Sequence, residues 1–288
     1  MGERESIVLI EGVIGEFNRH LKARTNLAPR TVQTYIDIAK TMFAKVNIFK
    51  IKADWIEDNI ILDKTISQGT RRLRIFALRH FFIWCMWEGV RSDNPAKAVK
   101  PPRIPRAIHR NLRPEIICRI FSSLKNIRER VIIGLLYYCG LRADELLSLK
   151  VDDVNLVDHY VYVRHGKGGE ERWVPCQNDN AFTDLLAQYV DMYDVKDWFI
   201  KTRNNAKMNY MTLREIIDEI GKRINYHFTA HQLRHSVASN LWKGGMDPMA
   251  LMSFMGHKSI ATTLRYVEVD FNTIQEKYNN VKILQKLA

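Results

Sequence analysis

The chain has 288 residues, 46% of them hydrophobic and 26% charged, the values of an ordinary globular protein with room for two domains of roughly 100–200 residues. They exclude a small disulfide-stapled scaffold, a disordered chain and a fibrous repeat. Lys and Arg number 44 against 32 Asp and Glu, a net charge of +12, which favours a polyanionic partner such as nucleic acid. The excess is uneven: residues 1–106 carry 19 basic against 11 acidic side chains, and residues 107–288 carry 25 against 21. The cysteines, Cys85, Cys118, Cys139 and Cys176, are widely spaced and suggest neither a disulfide framework nor a C-x-x-C zinc site, which suits a reducing, cytoplasmic location. The longest apolar run, Val131 to Cys139, is far below the roughly 18 residues of a membrane span. The charged start Met1-Gly2-Glu3-Arg4-Glu5 is unlike a signal peptide, so no membrane partner is expected.

In chain order, apolar periodicity predicts helices over Ile7–Ala23, from Pro29 to about Val46, near Asp54–Ile60, and over Ser67–Glu88. Ser67 reads as the N-cap of the last of these, and Gly89 with Asn94-Pro95 as its stop. That helix carries Arg71, Arg72, Arg74 and Arg79 one or two turns apart on a surface shared with aromatics. They read equally well as phosphate contacts and as a solvated charged face. The stretch Val99-Lys100-Pro101-Pro102-Arg103-Ile104-Pro105-Arg106 reads as a semi-rigid linker whose Lys100, Arg103 and Arg106 can track a phosphate backbone. Further helices are predicted over Pro114–Ser123, over Arg128–Tyr138 with Gly140 as its stop, and over Ala143–Leu149. Alternation at Tyr160–Val163 and Arg172–Val174 around Gly166-Lys167-Gly168-Gly169 then predicts a β-hairpin. Helices return at 180–193, 212–224, 230–243, 248–255, about 260–266 and about 271–285.

Thr229-Ala230-His231-Gln232 has the form of a capping box, which puts His231 and Arg234 on the first turns of a helix, where unpaired N–H groups already attract anions. Asp247-Pro248 opens the next helix, and Gly256 closes it just before His257. His231 and His235 share the i, i+4 spacing of two zinc ligands, but Gln232 stands where a zinc protease has its Glu base. Taken singly, these residues have plain structural explanations: hydrogen-bonded histidines, a salt bridge from Arg142 to Asp144 or Glu145, a turn lysine at 167, and a packing tyrosine at 266. Taken together they form an ordered series. Gly140-Leu141-Arg142-Ala143-Asp144-Glu145-Leu146 is followed by Gly166-Lys167-Gly168-Gly169-Glu170-Glu171-Arg172. His231-Gln232-Leu233-Arg234-His235-Ser236, Met255-Gly256-His257 and Thr262-Thr263-Leu264-Arg265-Tyr266 come after it. In this order and spacing the chain resembles the tyrosine recombinase (phage integrase, Xer-like) family over nearly its whole length.

The resemblance implies a mainly α fold. An all-helical, SAM-like core-binding domain would span 1–98, a basic linker 99–110, and a mainly helical catalytic domain with a small β-hairpin sheet 111–288, ending in a tail at 271–288. It implies a site-specific recombinase that cleaves and rejoins duplex DNA through a 3′-phosphotyrosine on Tyr266. Arg142 and Arg234 would bind the non-bridging oxygens, and Lys167 would protonate the departing 5′-oxygen. His231 and His257 would divide proton transfer and phosphate hydrogen bonding in an order left open, and Glu145 would orient Arg142. A tyrosyl ester conserves the phosphodiester energy, so neither ATP, metal nor another cofactor is expected. The partners implied are two paired double-stranded DNA sites and a homotetramer, with the 271–288 tail docked on a neighbouring subunit or packed on its own domain. Gly169-Glu170 stands where many relatives carry another lysine, and Val267-Glu268 where Thr-His is common. A type IB topoisomerase-like nicking and rejoining enzyme, a catalytically silent architectural DNA-binding protein and a zinc hydrolase are the alternatives.

Overall fold

A computed structural model describes residues 3–44, 46–104, 111–164, 171–176, 180–202, 206–257 and 259–263. The chain divides into two units, residues 1–107 and 108–288. In the first, α1 (Glu3–Arg24) is followed by α2 (Pro29–Phe43), where Pro29 presets the first turn and Val32, Tyr35, Ile36, Ala39, Met42 and Phe43 form the buried stripe. A short α3 (Ala53–Ile56) runs into a π-helical turn, Glu57–Ile61, and α4 spans Gln68–Trp87. The Ser67 hydroxyl accepts the Thr70 amide at 3.1 Å, and beyond α4 Gly89 adopts φ +68° while the Val90 amide returns to the Cys85 carbonyl at 2.9 Å. Both ends of α4 are therefore closed by the residues predicted to close them. The core is an aromatic cluster in which Phe81 meets Phe17 edge-on at 5.1 Å and Phe43 at 4.5 Å.

A single turn, α5 (Pro95–Ala98), was not anticipated. Arg79 holds it: Nε donates to the Ala96 carbonyl at 2.9 Å and Nη2 to the Val99 carbonyl at 2.7 Å, and Val99 itself is buried in this core. Arg79, one of the four arginines that the sequence offers as phosphate contacts, spends two of its donors inside the unit. Its guanidinium ties α4 to the end of the unit, because a helix one turn long has too few internal hydrogen bonds to hold itself.

The second unit contains α6 (Pro114–Ser122), α7 (Ile127–Tyr137) and α8 (Ala143–Ser148), then a 3-10 turn at Val151–Asp153. Strands β1 (Val154–Asn155), β2 (Tyr160–Val163) and β3 (Arg172–Pro175) form an antiparallel sheet in that order. Helices α9 (Asn180–Tyr193), α10 (Tyr210–Arg223), α11 (Ala230–Lys243), α12 (Pro248–Met255) and α13 (Ile260–Thr263) follow among the described residues. α7 is the central helix. Val131 through Leu136 are all buried, so beyond its charged first turn it shows no polar face, and Gly134 leaves the room taken by the Phe182 ring of α9, 2.2 Å from where a Cβ would stand. In the sheet, Val161 pairs with Val174 and Val163 with Arg172. These four side chains point inward, and Tyr160, Tyr162 and Trp173 point outward. β1, two residues long, has no alternation to read. Cys139, past α7, and Cys176, past β3, meet as free thiols with their Sγ atoms 3.8 Å apart. Among the described residues no helix is long and apolar enough to cross a membrane.

Candidate active site

Gly140 ends the α7 segment in the left-handed conformation (φ +55°) with Phe254 and Val237 close against it, and two residues later Arg142 becomes the N-cap of α8. Glu145, in the first turn, folds back so that its Oε2 accepts the Arg142 amide at 2.8 Å while its Oε1 accepts Arg142 Nη1 at 2.6 Å. On α11 the capping box forms as the sequence predicts, with the Gln232 amide donating to the Thr229 hydroxyl at 3.2 Å and the Thr229 amide to Gln232 Oε1 at 3.0 Å. It aims Arg234 into the unit, where Nη1 donates to the Gly140 carbonyl and lies 3.6 Å from Glu145 Oε2, and Nη2 donates to the Met255 carbonyl.

A third guanidinium completes the cluster. From the inward face of β3, Arg172 grips Glu145 bidentately, Nη1 to Oε1 at 3.0 Å and Nη2 to Oε2 at 2.8 Å, while Nε donates to the Phe254 carbonyl at 3.0 Å. The end of α12 thus presents three successive carbonyls, each to a different arginine: Phe254 to Arg172, Met255 to Arg234, and Gly256 to Arg142 Nη2 at 2.8 Å. These are carbonyls a helix terminus leaves without intrahelical partners, at the negative end of its dipole, so cations fit there. Gly256 makes the packing possible. At φ +57° a side chain is strained, and a Cβ would sit 2.8 Å from Arg172 Nη1.

Burial alone would raise the Glu145 carboxyl, but the hydrogen bonds and charge of Arg172, the Arg142 amide and the Arg234 charge outweigh it and hold its pKa at about 2. One permanent anion therefore faces three permanent cations. Arg142 keeps 26% of its side chain exposed and Arg234 only 4%. His257 follows directly on Gly256 and is buried, with Nδ1 2.9 Å from the Thr263 hydroxyl of α13. His231 is exposed, one turn before Arg234, and its Nε2 lies 2.6 Å from Nε2 of the buried His235. Two nitrogens on one tetrahedral zinc, each about 2.0–2.1 Å from it, would stand roughly 3.3 Å apart. The pair is accordingly a hydrogen bond between rings.

The structure therefore brings together Arg142, Glu145, Arg234 and the Gly256-His257 turn, and adds Arg172, which the sequence reading passed over. Its signal was the alternation of β3, which puts residue 172 on the same face as Val174. Lys167, Tyr266, Arg106 and the 271–288 tail lie outside the described residues. In the first unit, Arg71 Nε donates to the Ile66 carbonyl at 3.2 Å, Arg72 lies 5.3 Å from the Phe76 ring centroid, and Arg74 and Arg71 help Thr65 keep the Asp63 carboxyl below the usual range. Lys100 and Arg103 are exposed.

Residues 110–273 match the phage integrase family. Tyrosine recombinase XerA of Pyrococcus horikoshii is 31% identical over 218 residues, covering 75% of this chain and 74% of its own. Tyrosine recombinase XerC of Proteus mirabilis is 28% identical over 286 residues, 92% of each chain. A crystal structure of a lambda integrase dimer bound to a COC′ core site shares the fold with a TM-score of 0.74 at 18% identity, covering 91% of this chain and 98% of that one. The chain belongs to the phage integrase family of tyrosine recombinases.

Proposed function

We propose that this recombinase cleaves and rejoins DNA through Tyr266, with residues 1–98 and the 99–110 linker as a DNA-binding region and residues 111–288 as the catalytic domain. The Tyr266 oxygen attacks the scissile phosphorus, a P–O bond forms, and the bond to the 5′-oxygen breaks. Arg142 and Arg234 hold the non-bridging oxygens, where the transition state gathers charge. His231 and His257 share removal of the phenolic proton and hydrogen bonding to the phosphate, and the Lys167 ammonium protonates the leaving 5′-oxygen. Attack by a 5′-hydroxyl of the partner duplex on the phosphotyrosine reverses these steps and exchanges the strand. Two duplexes carry four strands, so four copies act on two paired sites, and the 271–288 tail links neighbours. Arg72, Lys100 and Arg103, exposed on the more basic part of the chain, add affinity that falls with salt. A DNA substrate places the protein with the genome, in the cytoplasm.

The observation that supports this reading most is the convergence of Arg142 and Arg234, from segments 92 residues apart, beside His257. Two fixed cations supply the charge that a metal provides in other phosphoryl-transfer sites. Incubation with nicked suicide duplexes in EDTA tests it: wild type yields a protein–DNA adduct on denaturing gels and Tyr266→Phe yields none. An adduct that EDTA abolishes, or that Tyr266→Phe retains, contradicts the reading.

A further inference from the structure

Arg172 has no place in the mechanism above, yet it is among the most completely engaged side chains of the second unit. It is 7% exposed, and Nε, Nη1 and Nη2 each donate to a protein oxygen. It lies behind Gly256, where not even a Cβ fits between them, and its donors are spent on the Glu145 carboxylate and the Phe254 carbonyl. Its fork covers both oxygens of Glu145, whereas Arg142 reaches only Oε1 with its side chain and Arg234 stands 3.6 Å from Oε2. A parallel two-bond pair is the strongest arrangement available to a carboxylate.

From this geometry we infer that Arg172 is a positioning residue that neutralises Glu145, leaving the charges of Arg142 and Arg234 to the scissile phosphate. The inference rests on the phosphate-binding roles proposed for those two arginines. Without Arg172, the buried carboxylate has only Arg142 and Arg234 to pair with. It draws both guanidiniums inward and cancels one of the two charges the transition state requires. Arg172 also joins three elements, β3, the first turn of α8 and the end of α12, so a purely mechanical role is the competing explanation. The two differ in what happens when Glu145 loses its charge. A neutralising residue becomes dispensable; a mechanical bolt does not.

The experiment measures single-turnover adduct formation on a nicked suicide duplex for wild type, Arg172→Met, Glu145→Gln and the double variant, with thermal unfolding and DNA binding measured in parallel. Arg172→Met is expected to slow cleavage by about 100-fold, the scale of a misplaced catalytic group, with DNA binding retained. Adding Glu145→Gln to Arg172→Met is expected to restore the rate to within about tenfold of wild type, a non-additivity that marks two residues acting as a pair. A double variant as slow as Arg172→Met or slower, or an Arg172→Met protein that cleaves at the wild-type rate, overturns the inference. Should Arg172→Met not fold, Arg172→Lys decides, because it keeps the charge and gives up the fork. A rate within about tenfold of wild type supports neutralisation, and a loss as large as that of Arg142→Ala refutes it. Failure of the underlying reading has its own signature: wild type itself then forms no adduct through Tyr266, and the inference falls with it.

Discussion

Two groups of arginines, one on α4 and one around Glu145, look alike in composition and differ in construction. On α4, Arg71, Arg72, Arg74 and Arg79 crowd into nine positions, yet their side chains diverge: Arg79 binds the carbonyls of α5, Arg71 binds Ile66, and Arg72 lies over Phe76. Around Glu145, Arg142, Arg172 and Arg234 come from three distant segments and converge on one carboxylate and three consecutive carbonyls. Density of charge along a helix is therefore a poor indicator of a site, since an α-helix spreads neighbouring side chains around its axis. Convergence of separated segments on a buried anion is a better one, because assembling permanent cations out of water is unfavourable unless they are paired and hydrogen-bonded.

The largest test of this contrast is in the chemical step. Arg142→Ala or Arg234→Ala is expected to lower the rate of adduct formation at saturating protein by about 10²–10³-fold, the usual loss for one oxyanion donor. Arg79→Ala should leave that rate within a few-fold, and an equal loss from the α4 substitution would break the comparison. Stability should respond in the opposite sense for α4. Arg79→Ala removes charged donors from the Ala96 and Val99 carbonyls, a loss of about 1.5–3 kcal/mol that denaturant unfolding of the first unit reports. Gly256→Ala, strained at φ +57° and set against Arg172, should destabilise the second unit by about 1–2 kcal/mol and slow cleavage.

Acid gives a smaller and graded effect. The folded Glu145 carboxyl at about 2 lies below an unfolded value of about 4.3, so its stabilisation is complete above that pH and is lost as pH falls toward 2. Glu129, held low despite its burial by Arg223 and the Lys125 amide, adds to the same slope. Unfolding free energies measured from pH 5 to 2 should fall less steeply in Glu145→Gln than in wild type; equal slopes would contradict the pairing. The smallest effect is expected of Arg72→Ala. It should leave stability unchanged and lower the salt-dependence slope of DNA binding by about 1.

Much of the catalytic unit was legible because its local signals are chemically complete. Thr229 and Gln232, Asp247 and Pro248, and the glycines at 140 and 256 each determine a helix end with atoms only a few residues apart. What escaped the sequence depends on partners far along the chain. β1 is two residues whose strand character comes wholly from pairing with β2. α5 owes its turn to Arg79, and the contact between Cys139 and Cys176 follows from where β3 ends. Arg172 escaped because a charged residue in a strand ordinarily faces water, although alternation already put it on the face of Val174, and in the sheet it stands inward opposite Val163. Arg142, Glu145 and Arg234 stood out through the order of motifs over the whole chain, but the carbonyl row of α12 that holds the three arginines had no counterpart in that order.

The central claim is that these cations serve a tyrosine nucleophile, and mapping the covalent attachment tests it most directly. Tryptic digestion of the adduct places Tyr266 in the peptide 266–277, where it is the only one of the 11 tyrosines. Mass spectrometry of the nuclease-trimmed adduct should find the residual nucleotide on that peptide, attached through its 3′-phosphate. A nucleotide on any other residue, or joined through a 5′-phosphate, would contradict the account.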